Sequence, residues 1–283
     1  MSGIGDGGQG KPVAVIVGAT SKWQAEGRNT LLALGRPVDD SDVPVSARWG
    51  VGGALAQKFA QEGYLVVLTT RARTNADGLA AAIDSQGGAS MIVELDLARP
   101  DSISAAFDTI RREAGDPEVL IYNAGYLEGR GLPPDQELME FFPSEMFEVA
   151  IDIACRGPFL VAKEVLPAMR KANRGSFFFT NNRLGLRGRK RKTGESLYYP
   201  RVMMRALSQA LTEEYSEHGV HVANVTVDGI IVSPGTLADP AFQRARQLDP
   251  ARIAEAFWYL HTQHPSCWTH ELQLTPAGQN PAF

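Results

Sequence analysis

Short, nearly unbroken apolar runs alternate with helical patterns along most of this chain, and that alternation limits the fold more than any other feature. The runs are VAVIVGA (13–19), YLVVLTT (64–70), SMIVELD (90–96), EVLIYNAG (118–125), GSFFFTNN (175–182), VHVANVTVDG (220–229) and THELQLT (269–275). Strands that alternate apolar and polar residues have one wet face, whereas continuous apolar strands are covered on both faces. Between the runs lie segments of helical periodicity, several opening on Asp or Ser and closing on Gly. Strand–helix alternation of this kind predicts an α/β fold with a doubly wound parallel sheet of about seven strands, Rossmann-type, with a ligand at the carboxyl ends of the strands. No linker or repeat divides residues 1–283, so a single domain is expected, with 1–11 as a Gly-rich leader.

The bulk numbers narrow the function by exclusion. A net charge of −4 gives no electrostatic reason to expect nucleic acid or a membrane surface. No apolar run reaches the roughly 18 residues of a membrane span, and the N-terminus lacks the apolar core of a signal peptide. Two cysteines, Cys155 and Cys267, make neither a disulfide framework nor a metal set. A cytoplasmic protein acting on a small molecule, with no metal, is the expectation. His261, His264 and His270 have no ligand spacing and read as structural.

The first strand runs into a glycine turn that is split. Residues 18–20 and 50–52 together give G-A-T-x-G-V-G once the 29 residues from Ser21 to Trp49 are set aside. That spacing lets the backbone turn tightly and aim helix N–H groups at a pyrophosphate, so Gly18, Thr20, Ser21, Gly50, Val51 and Gly52 are candidate cofactor contacts. Loop-closure entropy grows slowly with length, so an insertion here is tolerable. Trp23, Trp49, Lys22 and Arg48 lie near its base and are expected to clamp the cofactor or roof the cleft. The second strand ends in TTR, which places Arg71 where a ribose 2′-phosphate would sit and favours NADP(H) over NAD(H).

With these motifs in order, the chain resembles the short-chain dehydrogenase/reductase family. Further support comes from ELDL (Asp96 and Leu97, beside the adenine in that family), from YNAG (Asn123, Ala124, Gly125) and from GVHVANVTVDGIIVSP (219–234). The resemblance implies that Gly229 and Ile231 approach the nicotinamide and that Ser233 replaces a cofactor-contacting threonine. It also implies a homodimer or homotetramer, a substrate lid at 235–250, and hydride transfer with a small carbonyl or alcohol through an Asn-Ser-Tyr-Lys tetrad. The tetrad is altered here. Arg201 stands at the Lys position, Leu197 at the Tyr position, Asn182 at the Ser position and Ala154 at the Asn position. Arg201 retains a permanent charge and bidentate donors for a ribose. Asn182 offers a hydrogen bond to a substrate oxygen. Tyr198, one residue beyond the missing tyrosine, is the candidate acid/base, with an aromatic pocket wall as its other reading and Tyr199 as the less favoured substitute.

Two alternatives stay open: a lyase resembling the halohydrin dehalogenases, which carry Arg beside Ser and Tyr, and a catalytically weak NADP-binding protein. A basic run, Arg187 to Lys192, and the acidic Asp39, Asp40 and Asp42 of the insertion are expected to pair across the cleft.

Overall fold

A computed structural model describes residues 10–20, 44–125, 140–183, 200–233 and 246–282. Seven strands form one sheet: β1 (Val13–Val17), β2 (Leu65–Thr70), β3 (Ala89–Glu94), β4 (Val119–Tyr122), β5 (Gly175–Asn182), β6 (Val220–Val227) and β9 (Glu271–Leu274). Their order is β3-β2-β1-β4-β5-β6-β9, and every pairing is parallel. The chain order reverses between β1's two neighbours, β2 and β4. A crevice opens at such a switch point, outside the carboxyl ends of the strands. A two-residue pair, β7 (Ile230–Ile231) with β8 (Gln247–Leu248), stands beside the sheet.

The sheet separates two apolar clusters, which explains the unbroken apolar runs. Phe177, Phe178 and Phe179 are consecutive and all fully buried. Phe178 packs with Ile16, Ile121 and Val225 against α2 (Gly50–Gln61) and α8 (Pro250–His261). Phe177 and Phe179 stack on each other at 4.7 Å on the opposite face. There they join Val161 and Val165 of α6 (Gly157–Ala172) and Met204 and Leu211 of α7 (Arg201–Tyr215). Each such aromatic contributes roughly 2–3 kcal/mol through burial.

Two departures from regular helix matter for the site. The chain returns from the insertion as a short helix, α1 (Val45–Arg48), packed on α2 and α8. And α5 (Ser144–Ile151) passes into α6 through a π-helical turn, Asp152–Arg156. Gly157 permits that turn, since a Cβ there would lie 2.8 Å from both the Asp152 carbonyl and the Tyr122 hydroxyl.

Candidate dinucleotide site

The glycine turn after β1 is intact, and its neighbours enforce its shape. Gly18 has φ +82°, a conformation favouring glycine, and a Cβ there would sit 2.8 Å from the Ala124 Cα. A Cβ on Gly52 would lie 2.3 Å from the Gly18 carbonyl oxygen. The Gly18 amide donates to Thr69 Oγ1 (3.2 Å), whose own proton goes to the Ile16 carbonyl (3.0 Å). From the other side Asn123 Nδ2 donates to the Gly18 carbonyl at 2.9 Å. So the loop is held by β2 and β4 together, and it delivers Gly50, Val51 and Gly52 as the first turn of α2. Amides of a first helical turn have no intrahelical acceptor and attract anions. Thr20 is half-buried at the start of the insertion; Ser21 lies outside the described residues.

The stem of the insertion behaves differently from the sequence expectation. Trp49 is only 8% exposed and turns into the core, where Gly53, Gly78 and Leu79 surround it. Any Cβ on Gly53 would fall 2.3 Å from that of Trp49. Arg48 lies across the Trp49 ring at 5.9 Å. Trp49 therefore anchors the returning chain and is not presented as a clamp. Lys22 and Trp23, the acidic Asp39, Asp40 and Asp42, and the basic run 187–192 lie outside the described residues.

At the end of β2 the two arginines part company. Arg73 donates to the Ile92 carbonyl at 2.7 Å, and its amide donates to Glu94 at 3.2 Å. Arg71 is exposed at the strand end. Beyond β3, Asp96 Oδ1 accepts the Ala98 amide (3.0 Å), closing the turn that leads to α4 (Pro100–Glu113), and Leu97 is buried under Gly157.

Of the four positions expected to carry the tetrad, three lie in described elements: Ala154 in the π turn, Asn182 at the end of β5 and Arg201 at the start of α7. Arg201 is the first residue of α7, and its guanidinium lies against Gly125: a Cβ on that glycine would be 1.9 Å from Nη2. Burial pulls the Arg201 pKa down to about 10, opposed by the nearby Tyr122, so it stays cationic at neutral pH. Burial pushes the Tyr122 hydroxyl well above its usual range, with Arg201 opposing. That hydroxyl donates to the Ile153 carbonyl at 2.5 Å, so it serves the π turn. Ala154 is buried in the turn. The Cys155 thiol faces the Pro200 carbonyl at 3.4 Å, and burial raises its pKa. Leu197, Tyr198 and Tyr199 lie outside the described residues.

Asn182 is half-buried at the end of β5. Its neighbour Asn181, unnoticed in the sequence, does the joining. The Asn181 side-chain oxygen accepts the Asn182 amide (2.9 Å), while Nδ2 donates to the Arg201 carbonyl and to Asn224 Oδ1, both at 3.3 Å. Asn224 Nδ2 in turn donates to Glu271 (3.0 Å), which also accepts from Arg205 (2.8 Å). These contacts fix both amide orientations and end on a carboxylate, the acceptor-only group such a chain requires.

Asp228 is a second residue missed in the sequence, where it reads only as a replaced proline. It is fully buried and accepts from Gln273 Nε2 (3.0 Å), Thr275 Oγ1 (3.2 Å), Gln279 Nε2 (3.3 Å) and the Ala282 amide (2.7 Å). The tail so held brings Pro276 onto Gly229, where a Cβ would meet it at 2.9 Å. Ile231 is half-buried in β7 and Ser233 is buried just beyond. The segment 234–245, most of the expected lid, is outside the described residues.

A parallel doubly wound sheet with a glycine-rich phosphate turn at its switch point defines a dinucleotide-binding type of α/β protein. A family model described as short chain dehydrogenase matches residues 45–237, and the chain belongs to that family of oxidoreductases. It is 30% identical over 227 residues to cis-4-hydroxycyclohexanecarboxylate dehydrogenase of Sinomonas cyclohexanicum, covering 77% of this chain and 87% of that protein. An uncharacterised oxidoreductase of Bacillus subtilis is 26% identical over 226 residues, 79% of this chain and 76% of the relative. Among solved structures, the chain shares its fold with a metagenomic short-chain oxidoreductase in complex with NADP. That match has a TM-score of 0.71 and 22% identity, and covers 95% of this chain and 98% of the other. An alcohol dehydrogenase from Thermococcus sibiricus complexed with 5-hydroxy-NADP gives a TM-score of 0.72 at 21% identity, covering 96% and 99%. Among the described residues no helix is long and apolar enough to cross a membrane, and no group of His, Cys, Asp and Glu is arranged to hold a metal.

Proposed function

We propose that this protein is an NADP(H)-preferring oxidoreductase that moves hydride to or from a small carbonyl or alcohol. The observation that carries the reading is the Gly18–Gly52 contact, which leaves no room for a side chain and brings α2's first turn up to the loop. Gly50, Val51 and Gly52 then hold the pyrophosphate with their amides, and Arg71 pairs with the 2′-phosphate. Asp96 and Leu97 border the adenine; Asn123, Ala124 and Gly125 floor the crevice; Gly229, Ile231 and Ser233 border the nicotinamide end. When bound, the dinucleotide supplies or accepts the hydride. Arg201 grips the nicotinamide ribose and lends positive charge. Asn182 hydrogen-bonds the substrate oxygen, and Tyr198 exchanges a proton with it.

The buried Ala154 and the Arg at position 201 favour a second reading, a catalytically weak NADP-binding protein. The retained phosphate turn weighs against the lyase alternative. We further propose that copies associate through the edge strand β9 and α8, where Tyr259 is exposed, and that the protein is cytoplasmic. Light scattering after gel filtration reads the first of these.

The test is a fluorescence titration with NADPH and NADH, followed by NADPH absorbance over a carbonyl panel. Arg71→Ala should weaken NADPH at least tenfold, as loss of a charge-assisted contact does, and leave NADH within a few-fold. No binding of either nucleotide would sink both the oxidoreductase and the weak-binder readings. Binding without turnover on any carbonyl, and no change in Tyr198→Phe, would leave the second reading standing.

A further inference from the structure

Among the buried hydroxyls of the sheet, that of Thr180 stands apart. Thr69 donates to the Ile16 carbonyl, Thr226 accepts from Asn224, and Ser176 meets His261 Nδ1 at 2.8 Å. Thr180, 8% exposed, has a buried Oγ1 with no hydrogen-bond partner among the described residues. A buried polar group without a partner costs stability, and a valine of the same shape would avoid that cost.

Its position says what the hydroxyl is for. Thr180 lies two residues after Phe178 on β5, so strand alternation puts both on the α2 face of the sheet. The β4–β5 register ends with Tyr122 opposite Phe179, so one step further Thr180 comes beside Asn123. On its other side Thr180 pairs with Val225 of β6. Asn123 reaches the Gly18 carbonyl on that same face. Thr180 is therefore two strands from β1 and its glycine turn, with Asn123 of β4's end between them, at the carboxyl end of β5 and two residues before Asn182.

We propose that Thr180 is a cofactor-binding residue whose hydroxyl hydrogen-bonds the nicotinamide half of the dinucleotide. The proposal rests on the dinucleotide reading of the crevice. Bound cofactor gives the orphaned hydroxyl its partner; the cost carried by the free protein is returned on binding.

Three full-length proteins decide it: wild type, Thr180→Val and Thr180→Ser, each titrated with NADPH and with 2′,5′-ADP, which lacks the nicotinamide half. Thr180→Val should raise the thermal midpoint of the free protein by about 2 °C and weaken NADPH about tenfold, with 2′,5′-ADP unchanged. Thr180→Ser should restore NADPH affinity to within a few-fold. The proposal is overturned if Thr180→Val binds NADPH as wild type does, if it loses 2′,5′-ADP equally, or if Thr180→Ser binds as weakly as Val. Failure of wild type to bind NADPH or NADH at all overturns the dinucleotide reading itself, a different outcome from a variant that matches wild type.

Discussion

At the scale of single residues, burial decides which groups carry charge. His221 is buried and stacked on Trp268, with ring centroids 4.8 Å apart. Its two ring nitrogens face the Leu260 and Thr269 carbonyls at 3.1 and 2.9 Å. Two acceptors would suit an imidazolium, yet burial dominates and holds its pKa down to about 4, with His270 and His261 also opposing protonation. The unfolded chain takes up this proton near pH 6.5, the folded chain only near pH 4. Stability from this residue is thus complete above pH 6.5 and falls as pH drops through that window. Thermal midpoints measured from pH 7 to pH 4 should decline in wild type, with a shallower slope in His221→Gln. The place of Arg201 at the start of a helix was legible in the sequence, because the helix pattern before β6 fixes it. Tyr122, Asn181 and Thr180 were not: in an apolar strand a Tyr, an Asn or a Thr reads as core or as cap, and only the fold shows where its polar atom points.

Elements here are shaped by contacts that override propensity. Alanine is a better helix former than glycine, so an unpacked glycine at position 157 would gain from replacement. The π turn reverses the sign, because the added methyl meets the Asp152 carbonyl and the Tyr122 hydroxyl at 2.8 Å. Gly157→Ala should lose roughly 1–3 kcal/mol, the usual cost of overpacking, and calorimetry should show a lowered midpoint. A midpoint equal to or above wild type would mean the turn is not held by Tyr122. The strands were legible as apolar runs, and their observed ends fall close to the expected ones. The π turn was not, since its residues, Asp152–Arg156, contain no Gly or Pro to mark a break between the two helical patterns. Trp49 misled for a related reason. A tryptophan beside a phosphate turn looks like a ligand contact, and only the packing of α2 on α3 (Asp77–Ser85) reveals the slot formed by Gly53 and Gly78.

At the scale of the whole molecule, the crevice lies between the two halves of one sheet, so a ligand bound there stabilises the chain as a unit. NADPH at a hundred times its Kd should add about 2.7 kcal/mol and raise the thermal midpoint by on the order of 5–10 °C, read by scanning calorimetry. An unchanged midpoint at that ratio would argue against binding to the folded chain. The doubly wound order was legible because strand–helix alternation admits few arrangements; the hold of the tail on Asp228 was not, because no local pattern links residues this far apart. That hold also sets a timetable for the chain's birth. The donors that reach Asp228 come 45 to 54 positions later. At about 5–20 residues per second, the ribosome leaves this carboxylate waiting for several seconds after β6 is made. Until then water must serve it, and the backbone beside it, Gly229 to Ser233, has no tail to rest on. The backbone that follows β6 thus takes its final support only from residues made well after it.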